Sequence, residues 1–407
     1  MNAQTDTIGF TPPTRIDGRK LVPNRANTRT PGIRLPSHYI ASAARRRTET
    51  DAKAMRWLLN YAAIVGSELE EFAERFHMTL PDLRDALTNP YAEREHIYAL
   101  TIGVKALRLE FEQRLNATDI PTANELASPF RPGSALCEGY NPIAATHVAK
   151  TVKSALNATL KRGAITEIIG LTRIGKTTPA VHWFLRNLDE AVYFVCPETH
   201  GDMDFLLAFG RAVCAPLPTN CNAARARDRI EQAFDRGGYR MVIVDEGHNL
   251  WRSRHKTPSR LEFLRRLRDQ HGVCVAILAT PQFTEHLATA LAGDSKWAPG
   301  QYDGRAEPYH LPETLKDADI EAVMRLHAPE FDDGLITELV SFAKRSHGYL
   351  GAAVNVISRA RDAFEEHPQA DRTRLFAEVM KRQENGRRAE LKAAGKLVAP
   401  LRIGGGK

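Results

Sequence analysis

The chain has 407 residues, 43% of them hydrophobic, and a formal net charge of +7 at neutral pH. Such a length supports two or three domains; no run approaches the apolar span of a membrane helix and the N-terminus lacks an apolar leader, so the expectation is a cytoplasmic chain with no membrane partner. Five scattered cysteines, Cys137, Cys196, Cys214, Cys221 and Cys274, show no CxxC spacing, which argues against a disulfide framework or zinc knuckle and for core thiols.

The charge is unevenly spread. Residues 1–60 carry eleven Lys/Arg against four Asp/Glu, and residues 381–407 carry eight against two, leaving the middle at about −6. Basic ends on an acidic body suit arms that meet phosphate, and equally suit solvated tails.

Residues 1–50 hold Pro12, Pro13, Pro23, Pro31 and Pro36 among scattered arginines, the composition of a basic, flexible arm. Residues 51–118 read as helical: Met55–Val65, a break at Gly66 and Ser67 with Ser67 as a cap, then Glu68–Phe76. A turn at His77, Met78 and Thr79 follows. Thr79 caps Leu80–Thr88, with Pro81 in its first turn and Asn89 and Pro90 as the stop, before Arg94–Leu115. This is the layout of a helix-turn-helix and also of a plain helical bundle. Residues 119–144, rich in proline and glycine, read as a linker.

Residues 145–312 read as an α/β core. A helix, Ala145–Lys161, leads to strand Ile165–Ile169. Helix Lys176–Asn187, strand Val192–Val195, and helices Asp202–Cys214 and Arg225–Arg236 follow. Then come strand Met241–Val244, helix Ser259–His271 and strand Val273–Ala279. The alternation predicts a parallel sheet with right-handed crossovers. Residues 313–370 read as a helical lid, with helices Asp317–Leu326, Leu335–Ser346 and Tyr349–Glu366. Residues 371–407 read as a basic tail that binds DNA or a protein partner, or is disordered.

Two motifs carry chemistry. Gly170, Leu171, Thr172, Arg173, Ile174, Gly175, Lys176 and Thr177 fit GxxxxGK[ST] between a strand and a helix, with Thr178 next. The glycines let backbone N–H groups turn towards phosphates, Lys176 brings a mobile cation, and the Thr177 hydroxyl suits Mg²⁺. The expected ligands are ATP and Mg²⁺. About 65 residues on, a buried strand ends in Asp245 and Glu246. Asp245 suits the Mg²⁺ water shell and Glu246 suits a general base. Thr280, at the end of the next strand, is a candidate sensor or a simple strand-end cap. Arg305 is a candidate arginine finger for a neighbouring subunit or a surface arginine. Arg252, Arg254 and Lys256, with His255, form a basic loop that faces DNA or solvent.

The residues GLTRIGKTT, VIVDEGHNL with RLEFLRRLRDQHG, and VAILATPQF resemble the AAA+ ATPases, and more closely the transposition ATPases of the phage Mu B and TnsC/TniB type, over roughly 141–366. The resemblance implies a P-loop AAA+ core with a parallel sheet and helical lid, preceded by a small all-α, helix-turn-helix-like domain. It implies ATP-dependent self-assembly as a ring or helical filament on duplex DNA, without strong sequence preference, and recruitment of a transposase. Hydrolysis would be slow and stimulated by DNA or the partner. One departure stands out: where related lids place an arginine, this chain has Gly351 in the run Gly348, Tyr349, Leu350, Gly351. A signalling or defence NTPase switch and a replication-initiator or helicase-loader ATPase share the same nucleotide motifs.

Overall fold

The structure is a computed structural model that describes residues 43–65, 69–116, 143–198, 201–251, 258–292 and 302–393, except 45, 214, 216, 218–220, 303 and 347–348. Contacts divide it into two compact units. The larger holds the N-terminal helices and the residues of the sheet. The smaller holds residues from 314 onward together with 144–147 and 173–175.

The N-terminal helices are α1 (Glu49–Val65), α2 (Leu69–Arg75), α3 (Leu80–Thr88) and α4 (Arg94–Asn116). Helix α3 begins and ends where its caps predict: the Thr79 side chain accepts from Asp82 N, Pro81 lies in the first turn and Asn89 caps the end. Helix α1 starts six residues before the predicted Met55, with Glu49 and Asp51 in its first turn, where acidic groups complement the helix dipole. Ser67, predicted as a cap, lies outside the described residues. Trp57, Tyr61 and Phe111 stack and meet edge-on between α1 and α4.

These helices are bonded into the α/β core. Asn60, 1% exposed, donates to the carbonyls of Leu188 at 2.5 Å and Ala191 at 3.2 Å. Arg56 donates to Asp189 O at 2.9 Å, Lys53 pairs with Glu190 at 2.8 Å and Arg108 with Asp189 at 3.3 Å. Buried carbonyls that lose a donor are costly, so Asn60→Leu is expected to destabilise the chain by about 1–3 kcal/mol in urea unfolding. An unchanged midpoint would show that the helices dock without this bond.

The sheet contains β1 (Ile165–Ile169), β2 (Ala191–Val195), β3 (Met241–Asp245), β4 (Cys274–Ala279) and β5 (Ala306–His310), all parallel, in the order β2-β3-β4-β1-β5. Strands β1, β3 and β4 are buried throughout, as unbroken apolar runs predict. Among the helices that accompany them are α5 (His147–Arg162), α6 (Thr177–Arg186), α7 (Asp202–Ala212), α8 (Ala223–Gly237) and α9 (Ser259–His271). An aromatic cluster of Phe194, Phe205, Phe209 and Phe263 fills the core between β2, α7 and α9. Cys196 and Cys274 are buried, and burial pushes the Cys196 thiol up to about 12, leaving it an inert core group.

One α-helix and one strand of the α/β core are absent from the sequence reading. Helix α10 (Pro281–Ala292) starts at the strand end that read only as TPQ, with Pro281 in first position where its missing N–H costs nothing. Strand β5 reads AEPYH, a half-exposed polar run containing Pro308. Its edge position next to β1 explains why proline is tolerated and the apolar signal is weak.

The smaller unit contains α11 (Asp317–His327), α12 (Asp333–Arg345), α13 (Tyr349–Glu366) and α14 (Arg372–Ala393). The last corrects the tail reading. Much of 371–407 is one helix packed on α13, with Phe376 fully buried against Phe331.

Candidate nucleotide site

Parallel strands point their C-terminal ends the same way, and ligands bind outside those ends where neighbouring connections diverge. Here β1 lies between β4 and β5, while the chain leaving β1 crosses to β2 at the far edge. The P-loop follows β1 at this divergence. It is tied to the next strand by Gly170 N, which donates to Ala279 O at 3.1 Å.

The loop turns through left-handed backbone at Arg173, φ 66°, and Gly175, φ 90°. Glycine adopts this conformation without a Cβ clash, whereas at Arg173 it is a strain of the kind found at functional sites. The Lys176 ammonium donates to Gly170 O and Leu171 O, both at 2.7 Å. Burial lowers its pKa from the ordinary lysine value by more than the Asp245 and Glu246 carboxylates raise it. The cation is thus held where added negative charge would be favourable. Helix α6 begins at Thr177 without a side-chain cap. Its first N–H groups and dipole therefore face the same region as Lys176. Pro179 falls in the first turn of α6 and is buried.

Strand β4 separates β1 from β3, so the two motifs are not sheet neighbours. They nevertheless meet: Thr177 Oγ1 donates to Asp245 Oδ2 at 2.9 Å across 68 positions of sequence. Asp245 is the last residue of β3 and 5% exposed. Its Oδ1 accepts from Glu246 N at 2.8 Å, and its Oδ2 also accepts from Tyr193 Oη at 2.8 Å. Burial, then the Asp245 charge, drives the Tyr193 phenol well above its ordinary value, so it stays a proton donor.

Glu246 has left-handed backbone, φ 54°, and its side chain is 50% exposed, with Oε2 3.6 Å from His248 Nδ1. The next residue must be glycine: a Cβ on Gly247 would run into Ile277 Cγ2 and Leu278 O of β4. The turn after β3 is thereby pressed onto β4, and Glu246 swings outward where Asp245 points inward. Arg260 of α9, 2% exposed, steadies the loops after β2 and β3 by donating to Gly201 O at 3.0 Å and Asn249 O at 2.9 Å.

The residues fit a metal-bound nucleotide. A threonine hydroxyl and a carboxylate are hard oxygen donors, the kind Mg²⁺ takes one or two of while phosphate and water complete its shell. The strained loop, the buried Lys176 and the uncapped helix start converge beside them.

The remaining candidates divide. Leu171, Thr172, Arg173 and Ile174 form the loop, with Ile174 buried, and Thr178 is exposed in the first turn of α6. Thr280 follows β4, between the P-loop strand and β3, and its carbonyl accepts from Phe283 N at the start of α10. Arg305 lies at the other end of the sheet: Ala306 pairs with Ile165, the first residue of β1. A rise of about 3.3 Å per residue sets it more than about 13 Å from its own P-loop along the strand direction. It pairs there with Asp269 at 3.4 Å. Arg252, Arg254, His255 and Lys256 lie outside the described residues, as does Gly348. Gly351 is in the first turn of α13, and a Cβ there would meet nothing within 4 Å. Tyr193 and Arg260 were missed. The first had a visible signal, a phenol inside the apolar run AVYFV whose hydroxyl needs a partner once buried.

Residues 159–287 match the family model described as AAA domain, from the end of α5 to α10. The match includes the P-loop, Asp245, Glu246 and Thr280, while Arg305 and the C-terminal helices lie beyond it. Solved structures similar to the chain include the ORC2 protein of Aeropyrum pernix, at 16% identity over 58% of this chain and 67% of that one, TM-score 0.44. A Walker-type ATPase of Pyrococcus abyssi aligns at 15% identity over 61% and 74%, TM-score 0.42. The RuvB Holliday junction branch migration motor of Thermotoga maritima aligns at 18% over 57% and 67%, TM-score 0.37. No curated protein sequence matches the chain.

Proposed function

We propose that the AAA domain binds and hydrolyses Mg·ATP, and that nucleotide-driven self-assembly on duplex DNA lets the chain regulate a DNA transposition reaction. The observation that carries the ATPase part is the 2.9 Å bond from Thr177 to Asp245, which joins the phosphate loop to the acidic strand end. Lys176 binds the terminal phosphates. Thr177 and Asp245 hold Mg²⁺, which when bound neutralises charge on the phosphate oxygens. Glu246, outward and half-exposed, accepts the proton of the attacking water. Thr280 orients that water or the γ-phosphate.

The DNA part is supported by charge. Residues 69–116 carry nine Asp/Glu and six Lys/Arg, and Asp82, Asp85 and Glu93 surround His96 beside α3. That helix-turn-helix-like surface has the wrong sign for phosphate, so we assign DNA contact to the basic chain ends and to Arg252, Arg254 and Lys256. Transposition, with a transposase as partner, is supported by the likeness of the motif runs to the phage Mu B and TnsC/TniB type. The test is fluorescence anisotropy with unrelated duplexes. Binding should require ATP, ignore sequence, and weaken steeply with salt. ATP-driven assembly that ignores DNA would instead favour a switch acting on a protein.

Arg305 acts, in this reading, on a neighbouring subunit, since it lies at the far end of the strands from its own P-loop. Arg305→Ala is expected to cut ATPase activity roughly tenfold or more in the DNA-bound assembly and not in dilute monomer. Equal loss in both states would remove the finger role.

A further inference from the structure

Two hydroxyls share one oxygen of Asp245. Thr177 Oγ1 lies 2.9 Å from Oδ2 and Tyr193 Oη lies 2.8 Å from it. The first belongs to a recognisable motif; the second comes from a different strand and from no motif. We infer that Tyr193 is a positioning residue for the metal site, holding the Asp245 carboxylate in the orientation that Mg²⁺·nucleotide requires. The inference rests on the nucleotide reading above.

The placement follows from the register. Strands β2 and β3 run parallel with Tyr193 opposite Ile243, so Asp245 lies two residues further on, on the same face of the sheet. Tyr193 is 3% exposed, and its ring packs 5.7 Å from that of Phe184 on α6. Phenylalanine would fill that space equally well, and burying a hydroxyl without a partner is costly. Asp245 is the acceptor that the Tyr193 hydroxyl finds.

Three donors then fix the carboxylate: Glu246 N on Oδ1, and Thr177 and Tyr193 on Oδ2. Thr177 spends its proton on Asp245 and keeps oxygen lone pairs for a cation. Glu246 N and Thr177 Oγ1 hold the carboxylate from the two segments that meet the nucleotide. The phenol, anchored through a rigid ring in the sheet core, holds it from the sheet. Removing it leaves every metal-facing atom in the sequence and loosens one of them. Partners behind a metal ligand typically matter 10–100-fold in metal affinity.

The experiment uses the full chain with a fluorescent ATP analogue, titrated with Mg²⁺ and separately in EDTA. Tyr193→Phe should raise the Mg²⁺ midpoint by roughly tenfold or more, while affinity in EDTA moves less than about twofold. Steady-state hydrolysis should recover as Mg²⁺ is raised, a rise in the apparent KM for the metal with kcat largely restored. Phe184→Leu, which disturbs the same ring packing without touching Asp245, should leave the Mg²⁺ midpoint where it is. Matching midpoints for wild type and Tyr193→Phe would overturn the inference. So would equal weakening with and without Mg²⁺, or an equal midpoint shift in Phe184→Leu, because each would mean packing alone. A wild-type chain that shows no Mg²⁺-dependent binding at all would instead sink the nucleotide reading.

Discussion

Lys176→Ala is expected to weaken ATP binding by roughly tenfold to more than a hundredfold and to leave the ligand-free protein about as stable as the wild type. The two halves have one cause. Lys176 is a cation that burial disfavours more than Asp245 and Glu246 favour it, so its pKa in the folded state lies below the ordinary value. A lysine with a depressed folded pKa binds fewer protons when folded than when unfolded. Stability therefore rises with pH through the window between the lowered and the ordinary value. Alanine removes the cost of burying the charge together with the bonds to Gly170 O and Leu171 O, and the two losses oppose each other. The phosphates of a bound nucleotide reverse the balance. A charge-assisted hydrogen bond is worth roughly 1.5–3 kcal/mol, which corresponds to about a tenfold to more than a hundredfold loss of affinity. Thermal unfolding reads both halves: the Tm without nucleotide should change little, and the upward shift on adding Mg·ATP should shrink sharply. A variant that still shifts in Tm as the wild type does would remove Lys176 from the site.

Glu246→Gln has the opposite signature, binding kept and hydrolysis lost. Glutamine preserves the size of the side chain and its outward position but cannot take a proton. Positioned general bases contribute roughly 10²–10⁴-fold, so turnover should fall by that range while nucleotide affinity changes little. On DNA the consequence is a trapped assembly, visible as slowed dissociation in the presence of ATP. The left-handed backbone at Glu246 sharpens the test, because Gly247 and β4 hold the turn in place whatever residue occupies 246. A loss of binding in this variant would point to a disturbed loop, and wild-type turnover would dismiss Glu246 as the base.

Much of the α/β core was legible because its strands are unbroken apolar runs and its helices have plain stops. Ser259–His271, Ile165–Ile169 and Tyr349–Glu366 appear with the predicted bounds, and Gly272 in left-handed backbone ends the first of these. The pattern failed where tertiary position replaces local signal. Strand β5 is polar and holds a proline, and its pairing with buried β1 makes it a strand. The helix inside the predicted tail is highly charged, and its place is fixed by a few buried groups such as Phe376. In the site, motif spacing exposed Lys176, Thr177, Asp245 and Glu246, since each is a residue type demanded by phosphate or metal. Tyr193 was missed because its one signal, a phenol in an apolar run, does not name its partner. Aromatic residues are ordinary in strands, and only the three-dimensional register shows that its hydroxyl ends on Asp245.

The bonds from Asn60 and Arg56 to the base of β2 bear on how the protein can be divided. A fragment beginning after residue 143 would strip these donors from the carbonyls of Leu188, Asp189 and Ala191, take Arg108 from Asp189 and leave Glu190 with Arg240 alone. The sheet would then present bare acceptors along one margin, an invitation to pair with other chains. Helices that look in the sequence like a detachable accessory are instead bonded to the start of β2 in the α/β core. Damage to either part is inherited by the other.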